Sequence, residues 1–280
     1  MRPGALTVVL TRRCPSRCGF CPQGFEPRDM SAATLAAALR GLGPRLGRKP
    51  RIKLFGGEPL LKPGLVRRAV GLVRELGLAA DFELGTSGCL LDARMARFLR
   101  ERPEVEVVFG RSSPWLGRLP RTSLNFVIAP GERAPAVLRR LRSALALGLR
   151  SVNFLPAYFV TWSEAELTEL RRCFAALARL LRGRPIAVKN LSRWGAVPLY
   201  NDGWCVDTDG RVYASNLILV RGAGPHAGPL RLGHVRRPAR LRPMPRPTAL
   251  EAVLRACFSA EALESTRRVD AELTEFIHAL

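Results

Sequence analysis

Short apolar runs alternate with longer amphipathic stretches between Ala5 and Leu181. The short runs are rich in β-branched side chains and are bounded by turn residues, which predicts buried strands. Six such runs cover Ala5–Leu10, Arg51–Phe55, Asp81–Gly85, Val105–Phe109, Ser123–Ile128 and Ser151–Leu155. The longer stretches repeat apolar residues at helical spacing. They cover Ala32–Leu42, Pro63–Leu76, Asp92–Arg100, Ala134–Leu147 and Ser163–Leu181.

The alternation of strands and helices predicts an α/β fold. Parallel strands need a crossover connection, and a helix usually supplies it. Six strands in such a series are too few for a closed barrel of eight strands. We therefore expect a partial (βα)6 TIM-like barrel over residues 1–184. The last of these helices should begin at a capping box that Thr161 and Glu164 form.

The pattern changes after this barrel, and residues 185–235 combine short strands with turns. They predict a small C-terminal α+β appendage. Within it, Trp204–Val206 and Arg211–Tyr213 flank the sequence Asp207-Thr208-Asp209-Gly210. Asp-Gly pairs favour tight hairpins, so both aspartates are expected to be turn residues. Residues 236–280 are expected to form an Arg/Pro-rich linker and C-terminal helices.

Composition indicates a soluble protein. The apolar run that begins at Ala5 is short and ends in Thr-Arg-Arg, which is unlike a signal peptide. No apolar run approaches the roughly 20 residues that a membrane span needs, so we expect a cytoplasmic protein without a membrane partner. The net charge is +22, but only four of the 45 basic residues are lysines and the arginines are scattered. A solvated basic surface is the simpler interpretation, and an acidic or nucleic-acid partner is the alternative.

Three of the seven cysteines fall within eight residues, at Cys14, Cys18 and Cys21. Three thiolates at x3 and x2 spacing can hold one iron–sulfur cubane and leave its fourth iron open to another ligand. A structural zinc site normally takes four ligands, and Cys89 could serve as a distant fourth. The other cysteines sit in apolar contexts and are expected in the core, except that Cys205 lies near two aspartates and is a weaker candidate for the site.

A second motif, Gly56-Gly57-Glu58-Pro59, follows the second predicted strand. Two glycines permit positive φ and let a ligand approach bare backbone. Glu58 supplies an acceptor for a cationic group, and Pro59 fixes the turn before the next helix. Taken alone, the motif is more simply interpreted as an ordinary strand-to-helix turn.

Together, the two motifs resemble those of the radical S-adenosylmethionine (SAM) superfamily. Phe20 occupies the aromatic position before the third cysteine, and GGEP stands where that family has its GGE motif. The resemblance implies one [4Fe–4S] cluster on Cys14, Cys18 and Cys21. It also implies SAM, whose methionyl amino group would be bound by Glu58 and by the backbone near Gly56 and Gly57. The implied reaction is reductive cleavage of SAM to a 5′-deoxyadenosyl radical, which abstracts hydrogen from a substrate.

The same resemblance suggests further SAM contacts near the ends of later strands. Thr86-Ser87-Gly88 is similar to the family's TNG-like turn beside the ribose and carboxylate. Asn125 and Leu155 are expected to flank ribose and adenine. The usual Ser-x-Asp on the fourth strand is absent, and Ser112 is its only obvious substitute.

The segment Gly210–Ser215 resembles part of a SPASM/twitch domain, although Ser215 stands where a ligand cysteine is usual. This implies a degenerate appendage that carries no auxiliary cluster. The resemblance favours a peptide or protein substrate, as in ribosomal peptide maturation, with flavodoxin or ferredoxin as electron donor. RNA modification and a non-catalytic metal-binding protein are the alternatives. The sequence assigns no catalytic acid, base or radical-quenching residue.

Overall fold

A computed structural model describes residues 3–192 and 203–280 of the chain. The chain forms two compact units. The first comprises Met1–Arg17, Gln23–Val107 and Pro198–Cys257, and the second comprises Cys18–Pro22, Val108–Val197 and Phe258–Leu280. Part of the predicted appendage, residues 193–202, lies outside the described residues. The domain boundaries 1–184, 185–235 and 236–280 stay a prediction.

All of the predicted strands and helices up to Leu181 are present, and each end falls within one residue of its predicted position. The strands are β1 Ala5–Thr11, β2 Arg51–Gly56, β3 Asp81–Thr86, β4 Val105–Phe109, β5 Thr122–Ile128, β6 Ser151–Pro156, β7 Ala187–Val188, β8 Trp204–Val206, β9 Arg211–Tyr213 and β10 Arg231–His234. The helices are α1 Ala32–Leu42, α2 Pro63–Glu75, α3 Ala93–Arg100, α4 Ala134–Ala146, α5 Glu164–Leu181, α6 Pro247–Cys257 and α7 Ala260–His278.

In the first unit, the strands follow the order β10-β9-β8-β1-β2-β3-β4. β1, β2 and β3 pair in parallel, as the intervening helices predict. β8 also pairs in parallel with β1, from Leu6 opposite Trp204 to Val8 opposite Val206. β8 and β9 form the predicted antiparallel hairpin. The hairpin expected in an appendage therefore continues the sheet that contains β1.

β1 is buried throughout, since all seven of its residues are buried. Its neighbour β2 instead alternates between buried and half-buried positions. A parallel strand with partners on both sides and cover on both faces is expected to be apolar throughout. Five of the seven β1 residues are apolar and the other two are buried threonines. This strand fixes the position from which the cysteine loop departs.

In the second unit, β5, β6 and β7 are parallel and α7 packs against the segment that follows β6. Phe276 of α7 contacts Phe154 edge-on, with 5.2 Å between the ring centroids, and stacks on Phe174, with 4.6 Å between the ring centroids. Phe159 adopts a left-handed backbone, with φ of 63°. Its amide donates to Thr266 Oγ1 at 2.8 Å, so α7 stabilises a conformation that a bulky residue rarely takes.

The start of α5 corrects one local prediction. Ser163, and not Thr161, is the N-cap, and it exchanges hydrogen bonds with Glu166. Both Thr161-x-x-Glu164 and Ser163-x-x-Glu166 fit the capping-box pattern. The second box places the first helical residue at Glu164, which leaves Trp162 before the helix, where it is buried and donates to the Ala157 carbonyl.

None of the helices within residues 3–192 and 203–280 combines the length and apolar character that crossing a bilayer requires.

Replacing Asp270 of α7 with asparagine should raise the melting temperature at neutral pH, by about 1–2 °C. Burial raises the pKa of the Asp270 carboxyl, and the hydrogen bond from Tyr158, at 3.0 Å, only partly opposes this. A raised pKa means that the folded state binds the proton more tightly, so stability is lost as pH rises through the folded pKa. The asparagine side chain keeps an acceptor for Tyr158 without the charge.

Thermal unfolding from pH 4 to pH 8 measures this effect, and the advantage of Asp270→Asn should shrink toward pH 4. Glu264→Gln is a suitable control because Glu264 forms an exposed pair with Arg267 on the same helix. A melting temperature of Asp270→Asn below that of the native protein at pH 8 would contradict the prediction.

Candidate functional site

The three predicted ligand cysteines lie on the loop between β1 and α1. Cys14, Cys18 and Cys21 are each half-buried, and the Cys21 amide donates to the Cys18 carbonyl at 3.0 Å. Within the described part of the chain, no three His, Cys, Asp or Glu side chains are grouped to hold a metal ion. The donor set still fits an iron–sulfur cluster, because such clusters are held by cysteine thiolates. The assignment of these three ligands stays a prediction.

Backbone hydrogen bonds close the stem of this cysteine loop. The Arg12 amide donates to the Arg28 carbonyl at 2.8 Å, and the Glu26 amide donates to the Arg12 carbonyl at 3.1 Å. Two residues farther from the cysteines on each side of the stem, the Met30 amide donates to the Leu10 carbonyl at 2.9 Å. The chain therefore enters and leaves the cysteine loop side by side, which limits where its backbone can go.

Asp29 fastens this stem to the segment that follows the GGEP motif. Its carboxylate accepts from Thr11 Oγ1 at 2.6 Å and pairs with Lys62 Nζ at 2.5 Å. Burial works against ionisation of Asp29, but the hydrogen bonds from Lys62 and Thr11 hold the pKa of its carboxyl below the usual value. Asp29 is therefore charged at neutral pH, and the two motif-bearing segments are joined by an ion pair.

The two motif glycines are required because the start of the cysteine loop lies directly on them. Gly56 has φ of +136°, and a β-carbon there would lie 2.1 Å from the Thr11 carbonyl oxygen. A β-carbon at Gly57 would lie 2.1 Å from the Arg13 carbonyl oxygen and 3.0 Å from Cys14 Cβ. The Gly57 and Glu58 amides donate to the Thr11 and Arg13 carbonyls at 3.0 and 2.9 Å. Bare backbone at these positions thus accommodates the cysteine loop itself.

Glu58 is buried, with 1% of its surface exposed. Its Oε1 accepts from Thr86 Oγ1 at 2.7 Å and from the Leu60 amide at 3.1 Å. Its Oε2 accepts from the Ser87 amide at 2.8 Å and from Ser87 Oγ at 2.6 Å. A carboxylate offers about four acceptor positions, and all are used here. Glu58 therefore holds the GGEP turn, which Pro59 continues, against the Thr86-Ser87 turn.

Glu58→Gln should weaken that connection, because a carboxamide presents an NH2 group to two of the four donors. Hydrogen bonds to charged groups contribute about 1.5–3 kcal/mol each, so we expect a loss of stability in that range and SAM affinity lower by about one decade. Thermal unfolding and calorimetric titration of SAM into reconstituted protein measure the two effects. Cluster colour should remain.

Glu75→Gln is the matched control, since Glu75 pairs with Arg68 on the surface of the same unit. Native stability together with native SAM affinity in Glu58→Gln would show that the carboxylate does not hold these turns.

The remaining predicted SAM contacts lie in the second unit. Asn125 of β5 stands opposite Asn153 of β6, whose Nδ2 donates to Asn125 Oδ1 at 3.0 Å. Leu155 lies two residues beyond Asn153 on β6, so the three side chains share one face of these parallel strands. Ser112 is exposed and follows the end of β4. The structure thus brings Asn125 and Leu155 onto one face of β5 and β6.

The other cysteines differ in their surroundings. Cys173 is buried, as predicted, and Cys257 is half-buried, whereas Cys89 is exposed and the prediction of a core position for it was wrong. The helical pattern begins only at Ala93, so Cys89 belongs to the turn after β3. Burial, reinforced by the charge of Asp207, raises the pKa of the Cys205 thiol. Cys205 therefore stays protonated and unreactive at neutral pH.

Asp207 shows what local sequence patterns missed. It does form the predicted turn, since its carbonyl accepts from the Gly210 amide at 2.9 Å. It is also buried and ion-paired with Arg12, at the stem of the cysteine loop. The two residues lie 195 positions apart, so no window of sequence contains both.

Comparison with known proteins decides the family. The sequence model described as "Radical SAM superfamily" matches residues 8–170, which is more than half of the chain. The chain belongs to the radical SAM superfamily. Radical SAM proteins are enzymes that use a [4Fe–4S] cluster and SAM, and the alternative of a non-catalytic metal-binding protein is set aside.

Several curated radical SAM enzymes resemble this chain in sequence. GTP 3′,8-cyclase 2 of Pseudomonas aeruginosa is 28% identical over 199 residues, which is 58% of this chain and 57% of that protein. GTP 3′,8-cyclase of Moorella thermoacetica is 29% identical over 196 residues, covering 66% of this chain and 54% of that protein. PqqA peptide cyclase of Gluconobacter oxydans is 36% identical over 94 residues, which is 32% of this chain and 25% of that protein. The chain thus spans little more than half the length of the two GTP cyclases.

Solved radical SAM structures resemble it over a greater length. Native anSMEcpe with bound AdoMet has a TM-score of 0.68 and 14% identity, covering 98% of this chain and 96% of that chain. Streptococcus suis SuiB bound to precursor peptide SuiA has a TM-score of 0.57 and 12% identity, covering 95% of this chain and 67% of that chain. At such identities the likeness concerns the fold, and it confirms the α/β partial-barrel class.

Proposed function

We propose that this radical SAM enzyme holds its cluster on Cys14, Cys18 and Cys21 and modifies a peptide or protein. The observation that carries the substrate class is the likeness in fold to SuiB bound to its precursor peptide, which covers 95% of this chain. The local match to PqqA peptide cyclase supports the same class. Flavodoxin or ferredoxin is the proposed electron donor, and the cytoplasm is the proposed location.

When bound, the cluster and SAM supply one electron and a 5′-deoxyadenosyl radical, which takes hydrogen from the substrate. The chain's own residues position these groups and exclude water. We assign the methionyl end of SAM to the backbone near Gly56 and Gly57 and to the Thr86-Ser87 turn, which Glu58 orients. Asn125 and Leu155 are assigned to ribose and adenine, and Ser112 to the ribose contact of the fourth strand.

A nucleotide is the second candidate substrate. The two GTP 3′,8-cyclases match a longer part of this sequence than PqqA peptide cyclase does. The net charge of +22 would favour an anionic substrate, whether GTP or RNA. These matches cover 58% and 66% of this chain, whereas the likeness in fold to peptide-bound SuiB covers 95% of it, which makes a peptide the better-supported proposal.

The two candidates are separated by assaying anaerobically reconstituted protein with SAM and dithionite. One arm contains GTP, and the other contains synthetic peptides encoded by short open reading frames beside this gene. Peptide modification predicts a mass change in one peptide together with 5′-deoxyadenosine above the substrate-free rate. Turnover of GTP without any change in the peptides would favour the nucleotide. No 5′-deoxyadenosine in any arm would contradict both.

A further inference from the structure

A buried ion pair joins the start of the cysteine loop to the turn between β8 and β9. Arg12 is 7% exposed and Asp207 is 3% exposed. Arg12 donates from Nε to Asp207 Oδ1 at 2.9 Å, and from Nη2 to Oδ2 at 2.7 Å. Two parallel hydrogen bonds of this kind fix the relative orientation of both side chains. Arg12 lies only two residues before Cys14, so its position determines where the cysteine loop begins.

The same guanidinium reaches the far end of the loop. Its Nη1 donates to Glu26 Oε1 at 3.1 Å, and its Nη2 also donates to the Ile218 carbonyl at 3.3 Å. Glu26 follows Cys21 in the chain. Arg12 therefore connects both ends of loop 13–25 to each other and to the segment after the hairpin.

That segment makes a second, independent contact with the loop. The Gly24 amide donates to the Leu219 carbonyl at 2.8 Å, and Gln23 forms an antiparallel bridge with Val220. A β-carbon at Gly24 would lie 3.1 Å from Arg221 Cα. Residues directly after Cys21 thus lie against residues 219–221 with little space between the backbones.

Ser215 begins the turn that presents these carbonyls. Its Oγ accepts from the Leu217 amide at 3.1 Å, at the start of the 3-10 helix Asn216–Leu219. The carbonyls of Ile218 and Leu219, which hold Arg12 and Gly24, belong to that helix. Ser215 stands where a SPASM domain usually has a ligand cysteine. Here it begins a segment that contacts the cysteine loop.

We propose that residues 204–221, here called the hairpin segment, position the cysteine loop, with Arg12 and Asp207 as positioning residues. The hairpin segment then serves the single cluster by holding its loop. The inference rests on the proposed role of Cys14, Cys18 and Cys21 as cluster ligands. Its physical basis is that removal of one partner of a buried ion pair leaves the other charge poorly compensated, here only by the more exposed Glu26. Without Asp207, the Arg12 side chain is expected to turn toward solvent, and the loop stem loosens.

Hydrogen exchange of the cluster-free protein tests the positioning without requiring a bound cluster. In Asp207→Asn, amides within residues 13–28 should exchange on the order of 100-fold faster than in the native protein. Asp209→Asn is the matched control, since Asp209 lies in the same turn but is exposed and pairs with Arg211. Val73→Ala, at a buried site in α2, controls for a general loss of stability. Both controls should leave exchange of the loop unchanged.

Cluster retention provides the second readout. Reconstituted Asp207→Asn should release iron to a chelator about tenfold faster or more, with a broadened electron paramagnetic resonance signal of the reduced cluster. Arg12→Lys keeps the charge but loses the paired hydrogen bonds, so it should fall between Asp207→Asn and the native protein. It also serves as the test if Asp207→Asn does not fold.

The proposal is overturned if Asp207→Asn and Arg12→Lys leave loop exchange and iron release at native values. It is equally overturned if Val73→Ala accelerates loop exchange as much as Asp207→Asn does, because the effect would then be general instability. Failure of the native protein to bind iron would contradict the proposed function instead, and the exchange data on cluster-free protein would still decide the positioning role.

Discussion

Alanine in place of Cys14, Cys18 or Cys21 is expected to remove nearly all iron from the anaerobically reconstituted enzyme. The native chain should hold about four iron and four sulfide, which is one cubane cluster. Three ligands are the fewest that hold such a cluster while leaving one iron for SAM, so each should be indispensable. Iron and sulfide analysis, together with absorption near 400 nm, measures the loss.

Cys89→Ala is the matched control, because Cys89 is exposed and lies outside the motif; it should keep the full cluster. The triple variant of Cys14, Cys18 and Cys21 should bind essentially no iron, since Ser215 caps a turn where a second cluster would need a thiolate. Stoichiometric zinc in place of iron would contradict the cluster assignment. Four irons recovered in the triple variant would show an auxiliary cluster.

Gly57→Ala should have the second-largest effect, although it adds a single carbon. That carbon would lie 2.1 Å from the Arg13 carbonyl oxygen, which belongs to backbone and cannot rotate away. Overpacking of this kind costs about 1–3 kcal/mol and occasionally more. The least costly relaxation shifts Arg13 and Cys14 away from β2. We therefore expect a melting temperature lower by about 4 °C or more and loss of more than half of the cluster.

Two other glycines on α2 supply controls. Gly64 and Gly71 have open space where a β-carbon would be added, and alanine favours helix by about 1 kcal/mol over glycine. Gly64→Ala and Gly71→Ala should therefore keep or raise stability and keep the cluster. If Gly57→Ala behaves like these two, the close contact between the GGEP motif and the cysteine loop does not constrain the site.

Regular elements were predictable because local sequence determines them. The period of apolar residues and the position of turn residues placed each barrel strand and helix to within one residue. The capping box at α5 was assigned wrongly because two overlapping boxes satisfied the same pattern, and only burial of Trp162 distinguishes them. Cys89 was misassigned for a related reason, since an apolar neighbourhood in sequence did not mean burial in space.

Only those parts of the candidate site that lie within short sequence motifs were predictable. Cys14, Glu58 and Ser87 could each be named from local sequence, but the bonds from Ser87 to Glu58 could not. The pairing of Arg12 with Asp207 depends on β8 lying beside β1, which hydrophobic patterning does not specify. Long-range contacts of this kind require the order of strands in the sheet, and the sequence offers no local signal for it.

The position of β1 between β2 and β8 affects how the chain folds during synthesis. Val8 at the centre of the strand pairs with Leu54 on one side and Val206 on the other. During synthesis the β2 side can form early, but the other edge of β1 stays open until almost 200 further residues have emerged. An open apolar edge is a site of aggregation, and distant strand pairings form slowly. Expression of residues 1–184 alone should therefore give insoluble protein, and chaperones should improve the yield of the full chain.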